Sequence, residues 1–318
     1  MSIRKDFISY ASLVSGILPL DTLCRITGQN FVLPFYHIAS DEDCPHIKHL
    51  YRYKTVAEFE WDIDYLASHY KPISAEELPN VLTGKYANQK IMLLTFDDGL
   101  RQVYDTIAPI LLRKGIPAVF FINTDFMDNK ALMFRYKASL ALEKSPDHHF
   151  RAMVVADSDE EFIKETNGEM EADCDAFLQS YKPYMTTGQI RSLIDQGFSI
   201  GSHSSSHPYY KNLSLAAQLD ETLTSMDILQ NTFKLRQRLF AFPFTDHGVS
   251  VRFFEEIFRD GKIDFSFGGA GIKKDIHPRQ IQRAPMEGWD ASAEQVLKSE
   301  YLYYMLRMPF AKNTIRRS

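Results

Sequence analysis

Cysteine is scarce in this chain of 318 residues: three only, Cys24, Cys44 and Cys174, far apart and never in a C-x-x-C pair. That excludes a disulfide framework and a thiolate zinc site, and it predicts a reducing compartment. A basic excess is missing too. Lys and Arg number 36 against 41 Asp and Glu, a formal charge of −5, so no positive field exists to grip nucleic acid. A strongly acidic substrate would need a local positive patch. No apolar run approaches the roughly 18 to 20 residues that span a bilayer. Near the N-terminus Arg4 and Lys5 precede an apolar stretch from Phe7 to Val14, but Asp6 interrupts it, and Gly16, Pro19 and Asp21 follow before any small-residue cleavage site. That is not a convincing export signal. Residues 1–30 are therefore expected to form a helical extension, packed or interfacial, on a cytoplasmic protein, with the inner membrane face as an alternative location.

What is present is ordinary in bulk, 45% apolar and 24% charged, as in globular proteins. The local pattern says more. Val32 to Ile38 reads as a short buried strand, and Phe59, Ile63, Leu66 and Ala67 recur at helical spacing. Lys90 to Phe96 is an apolar strand that stops at the turn Asp97-Asp98-Gly99. A helix through Val103, Ile107 and Leu111 closes at Lys114-Gly115, and Ile116 to Ile122 is another strand. Strand, helix, strand within so short a stretch is the mark of a parallel α/β unit. From about 124 to 184 the text turns polar and acidic, with the run Asp157-Ser158-Asp159-Glu160-Glu161 and a helical patch from Leu132 to Leu142. It reads as a helical insertion. Alternation then resumes to about Met286. The predicted fold is α/β, a distorted (β/α) barrel of about seven strands over 31–290, with a helical tail over 291–318. That tail is basic and aromatic, so peripheral membrane contact is an alternative to simple docking.

Three strand ends stand out, where barrels of this kind keep their chemistry. Asp97 and Asp98 are adjacent carboxylates after a buried strand, costly unless a cation compensates them. His203 and His207, in Gly201-Ser202-His203-Ser204-Ser205-Ser206-His207-Pro208, stand at i and i+4, one side of a helical turn. The third end is Phe242-Pro243-Phe244-Thr245-Asp246-His247-Gly248. One of the two carboxylates with His203 and His207 makes a two-histidine, one-carboxylate set with open positions, suited to Zn²⁺ or another divalent ion such as Co²⁺, Ni²⁺ or Mn²⁺. The other carboxylate can then serve as a base toward a metal-bound water.

These motifs resemble the polysaccharide deacetylase family. Thr95-Phe96-Asp97-Asp98-Gly99 matches its T-F-D-D-G motif, and His203-Ser204-Ser205-Ser206-His207 its H-[S/T]-x-x-H motif. The resemblance implies a metal-dependent N-deacetylase that hydrolyses the acetamido group of an N-acetylated sugar in a surface glycan or its precursor. It implies Asp97 as general base, Asp98, His203 and His207 as metal ligands, Ser204 as a brace for the histidine loop, and the Phe244 N–H as oxyanion donor.

Two parts of the pattern depart. Ala241 stands where many members carry an arginine that steadies the catalytic aspartate. Arg283, on a late strand, is the candidate replacement; an ordinary structural arginine is the other reading. The late L-x-x-H motif that supplies the acid has no visible match, which leaves His277 by chain order and His247 by nearness to the third motif. His37 is a metal-site neighbour, a substrate contact or a core histidine. Trp289, Tyr209 and Tyr210 are sugar-stacking candidates or plain packing. Competing functions are deformylation or deacylation of a lipid-linked amino sugar, and non-catalytic sugar binding.

Overall fold

The computed structural model describes residues 7–8, 10–11, 18–144 and 170–317. The apolar runs pair side by side as one parallel sheet of eight strands: β1 (Pro34–Tyr36), β2 (Leu94–Phe96), β3 (Ala118–Ile122), β4 (Ser199–Ser202), β5 (Leu239–Ala241), β6 (Phe265–Gly268), β7 (Gln280–Gln282) and β8 (Ala284–Pro285). Their spatial order is β7-β6-β5-β4-β3-β2-β1-β8, and every neighbouring pair is parallel. The two outer strands are halves of one stretch of chain, separated by Arg283 alone. The Arg283 N–H donates to Gly268 O on one side, while the Ala284 N–H donates to Leu33 O on the other. The sheet thus curls into a nearly closed barrel with seven positions around the ring.

Both faces are covered, so the strands read as continuous apolar runs with no alternation. All five residues of β3 are buried. Val119 and Phe121 join Leu93, Leu239 and Phe267 in one cluster inside the barrel, whereas Phe120 and Ile122 join the large cluster beneath the helices. A Cβ on Gly201 would sit 2.8 Å from Leu239 O and 2.5 Å from the Phe121 ring. Only glycine lets β4 pass there.

Outside the ring several helices start at side-chain caps, and several stop at glycine or a left-handed residue. Thr55 and Glu58 form a capping box on Val56–His69, and Gly115, at φ 66°, ends Ala108–Lys114. The expected helix through Val103 opens as a π turn over Val103–Ile107. Pro109 has no N–H to offer the carbonyl of Asp105. Leu20–Thr27 and Ala293–Arg307 pack together on the barrel's flank, where the Tyr70 and Tyr301 hydroxyls meet at 3.0 Å. The rest of the expected N-terminal extension, 1–6, 9 and 12–17, lies outside the described residues, as does the acidic run 157–161.

The segment between β3 and β4 holds the helices Phe134–Lys144 and Glu171–Tyr181. Leu132, Met133, Tyr136, Leu178 and Tyr184 form a second core with Ile38, Cys44 and Ile47 from the loop after β1. The insertion is therefore bolted to a loop at the C-terminal edge of the barrel, over the strand ends that carry the candidate chemistry.

Candidate active site

Asp97 and Asp98 follow β2, His203 follows β4, Phe244 follows β5, His37 follows β1 and Glu287 follows β8. A cavity of about 470 Å³ is lined by all six, together with His207 and Arg283, a size usual for a small-ligand site. Four non-glycine residues here adopt left-handed backbone: Asp98 (φ 68°), Ser204 (φ 68°), His207 (φ 63°) and Phe244 (φ 53°). Each costs conformational energy that surrounding structure must offset. The histidine pair consequently does not lie on a helical turn as its spacing suggested. Residues 203–207 form an irregular loop, and the two imidazoles still converge, ring centroids 5.0 Å apart. The Ser204 hydroxyl accepts from the His207 N–H at 3.0 Å and ties the loop, while Asn123 donates to His203 O.

Donor atoms of Asp98, His203 and His207 all lie within 4.8 Å of one another. Asp98 Oδ1 is 3.4 Å from each histidine Nε2, yet it is buried without a hydrogen-bond partner. Its other oxygen accepts from Tyr136 Oη at 2.8 Å. His203 Nδ1 donates to Ala241 O at 2.9 Å, which leaves Nε2 as a lone pair pointed at the carboxylate. Burial drives both imidazoles toward the neutral form, His203 down to about 4 and His207 to about 3. Two neutral nitrogens and an orphaned carboxylate oxygen facing one point are unfavourable unless a cation sits between them. The residues fit a divalent ion.

Beside them Asp97 stands outside the triad, Oδ2 3.9 Å from His203 Nε2. Arg283 grips it with two parallel hydrogen bonds, Nη1 to Oδ1 at 2.6 Å and Nη2 to Oδ2 at 2.8 Å. The guanidinium is itself buried against the faces of Phe35 (4.5 Å) and Phe121 (5.2 Å). Burial pushes the Asp97 carboxyl up, but the charge of Arg283, its hydrogen bonds and the neighbouring imidazoles together outweigh it, and the pKa falls to about 2. The guanidinium that meets Asp97 thus comes from the strand that closes the barrel. Ala241 itself is fully buried in the interior cluster.

The cavity also contains an ion pair with no counterpart in the sequence reading. His37 Nδ1 lies 2.7 Å from Glu287 Oε2, and the same carboxylate accepts from the backbone N–H groups of His37 and Ile38. Burial lowers the His37 pKa, but the bond to Glu287 and the charges of Asp98, Glu287 and Asp97 outweigh it, raising the pKa to about 9. Sequence placed His37 at a strand end but gave no sign of its partner 250 residues away.

Neither histidine weighed as the acid reaches this place. His277 precedes β7, at the opposite end of that strand from the cavity, and stacks on Phe254 with ring centroids 5.1 Å apart; it is not among the cavity-lining residues. That corrects the expectation: chain order put it near, but the strand runs from it toward the site. His247 is exposed and faces elsewhere. Tyr210 is buried in a cluster with Phe240 and Phe253. Tyr209 and Trp289 do line the cavity, Tyr209 stacked on Phe244 with centroids 3.9 Å apart.

The polysaccharide deacetylase family model matches residues 84–255, more than half the chain, across both aspartates, both histidines and the Phe244 turn. The chain belongs to that family. Among solved structures it is similar to the Streptococcus pyogenes deacetylase PplD in complex with acetate, with 15% identity, a TM-score of 0.57, and 85% of this chain and 97% of that chain covered. It is also similar to IcaB from Ammonifex degensii (16%, TM-score 0.56, 86% and 96%) and to a de-N-acetylase from Aggregatibacter actinomycetemcomitans (16%, TM-score 0.53, 83% and 95%). At these identities the likeness is one of fold. No curated protein matches the sequence. Arg283, His37 and Glu287 lie outside the stretch that the family model covers.

Proposed function

We propose that this polysaccharide deacetylase family member is a metal-dependent N-deacetylase of an N-acetylated sugar, within a surface glycan or its precursor. The observation that carries the reading is the division of labour between adjacent carboxylates: Asp98 Oδ1 faces two imidazole nitrogens, while Asp97 is held aside by Arg283. A protein that only bound a sugar would have no use for the second arrangement.

Asp98, His203 and His207 would hold the ion, Zn²⁺ being the best match to two nitrogens and one oxygen. Such an ion supplies Lewis acidity, lowering the pKa of a water and polarising the acetyl carbonyl. Asp97, ionised at any physiological pH, accepts the proton of the attacking water. Its low pKa makes it a weak base that passes the proton on. Arg283 fixes the direction of its lone pairs. The Phe244 N–H, which has no acceptor among the described residues, is the oxyanion donor. As the carbon–nitrogen bond breaks, the amine needs a proton, and His37 is the group placed to give it: charged at neutral pH and oriented by Glu287 on Nδ1, it has Nε2 to spare. Acetate and a free amino sugar leave.

The test is acetate release from N-acetylated oligosaccharides and lipid-linked sugars with Zn²⁺ or Co²⁺ supplied, wild type against Asp97→Asn, with metal content measured on both. Release by wild type alone, with equal metal in both proteins, is the expected result. Tight metal binding without release from any N-acylated sugar would sink the proposal.

A further inference from the structure

The cavity offers more hydrogen-bond donors than deacetylation uses. Arg135, in the first turn of the inserted helix Phe134–Lys144, lines it. The Arg135 guanidinium carbon lies 5.1 Å from the centroid of the Phe244 ring, and that ring is 4.5 Å from His207. Arg135 Nε is buried without a hydrogen-bond partner, and no carboxylate among the described residues stands within ion-pair distance. Tyr51 and Trp289 line the same cavity, and their Oη and Nε1 are likewise buried without a hydrogen-bond partner. Burial pushes the Tyr51 phenol well up, so it keeps its proton, and the charge of Arg135 is felt there.

The acidic groups facing the cavity are all committed elsewhere: Asp97 to Arg283, Glu287 to His37, Asp98 to Tyr136 and the ion position. Arg135 is the surplus. In a chain of net charge −5, an unmatched guanidinium beside the reacting centre forms the local positive patch that an anionic substrate requires. A neutral acetamido sugar would leave the Arg135 guanidinium beside it without a counter-charge. An oxyanion group would supply one through charge-assisted bonds.

We propose that the substrate bears an anionic substituent, a carboxylate or a phosphate, close to its acetamido group, and that Arg135 of the insertion binds it, with Tyr51 and Trp289 completing the subsite. The proposal rests on the deacetylase reading for which bond is broken, but the anion site itself is a matter of binding. Arg135 is then the specificity determinant that the insertion contributes.

Calorimetric binding to the zinc-loaded full chain tests it, with N-acetylglucosamine, N-acetylmuramic acid and N-acetylglucosamine 6-phosphate as matched neutral, carboxylate and phosphate probes. Acetate release is followed in parallel. Wild type is expected to bind one anionic probe about tenfold or more tightly than the neutral one, and which probe wins tells the two sources apart. Arg135→Gln is expected to bring the three probes level, and Arg135→Lys to retain part of the preference. Equal binding of all three by wild type overturns the proposal. So does a preference that survives Arg135→Gln, because the anion would then be meeting the ion directly. If the variants fail to fold, wild type stripped of zinc decides: a preference that persists without the ion belongs to Arg135, and one that vanishes with the ion overturns the proposal. A preference lost in Arg135→Gln, with no acetate released from any probe, would strike the deacetylase reading and leave the anion site standing.

Discussion

Asp97 and Arg283 are 186 residues apart in the chain and joined by two hydrogen bonds of 2.6 and 2.8 Å. The pairing follows from how the barrel closes. Arg283 sits at the one residue where the last strand changes partner, donating its N–H to Gly268 O while its successor bonds Leu33 O. Ring closure and the orientation of the proposed base therefore depend on the same residue.

Arg283→Lys keeps the charge and loses the fork. It should leave the metal content unchanged while kcat falls, roughly tenfold to a hundredfold, through misorientation of Asp97. Arg283→Ala leaves a buried carboxylate unpaired and should cost about 3 to 5 kcal/mol in denaturant unfolding. Unaltered kcat in the lysine variant would show that charge alone suffices.

The fold and the convergence of Asp98, His203 and His207 could be read from the sequence because their signals are local. Buried parallel strands are continuous apolar runs, and each of these residues lies in the loop that follows one. Asp97, Asp98, His203 and His207 needed no knowledge of the tertiary pairing. Arg283 was reachable only as a candidate, since what makes it special is the strand switch. His37 and Glu287 show the limit: the two halves of the pair stand 250 residues apart, and neither carries a motif. His277 misled because chain order says nothing of which end of a strand a residue occupies. The role of the insertion was illegible for the same reason, as Tyr136 and Arg135 gain meaning only from what they face.

Glu287→Gln should move the alkaline limb of the kcat/KM profile. His37 must be protonated to donate, so activity falls as pH rises through its pKa, near 9 in the ion-free protein. With the carboxylate gone, its largest raising influence is lost and burial pulls the pKa down. The limb should shift toward neutrality while the acidic limb stays in place. A profile identical to wild type would remove His37 from the reaction.

Tyr136→Phe deletes the hydrogen bond to Asp98 Oδ2 and nothing larger than an oxygen atom. Groups behind a metal ligand typically tune affinity tenfold to a hundredfold, so zinc affinity, measured against a competing chelator, should weaken by about that much. Unchanged affinity would mean that the inserted helix Phe134–Lys144 covers the site without shaping it.

His46 gives the protein an acid sensitivity independent of catalysis. Its ring is buried among Tyr136, Phe177 and Tyr181, with centroids 5.1 to 5.3 Å away, and neither nitrogen has a hydrogen-bond partner. Burial, and after it the charge of Arg101, lowers its pKa from 6.5 to about 3. Between those values the unfolded chain binds a proton that the folded chain refuses. Stability from this group is therefore whole above pH 6.5 and drains as pH falls toward 3, by up to about 1.4 kcal/mol per pH unit. His46→Phe suits the aromatic surroundings and does not titrate. Urea unfolding of both proteins at pH 7 and pH 5 isolates the effect, because His203 and His207 contribute equally to each. The variant should lose less stability over that interval than wild type; parallel losses would mean that the imidazole finds a partner in solution.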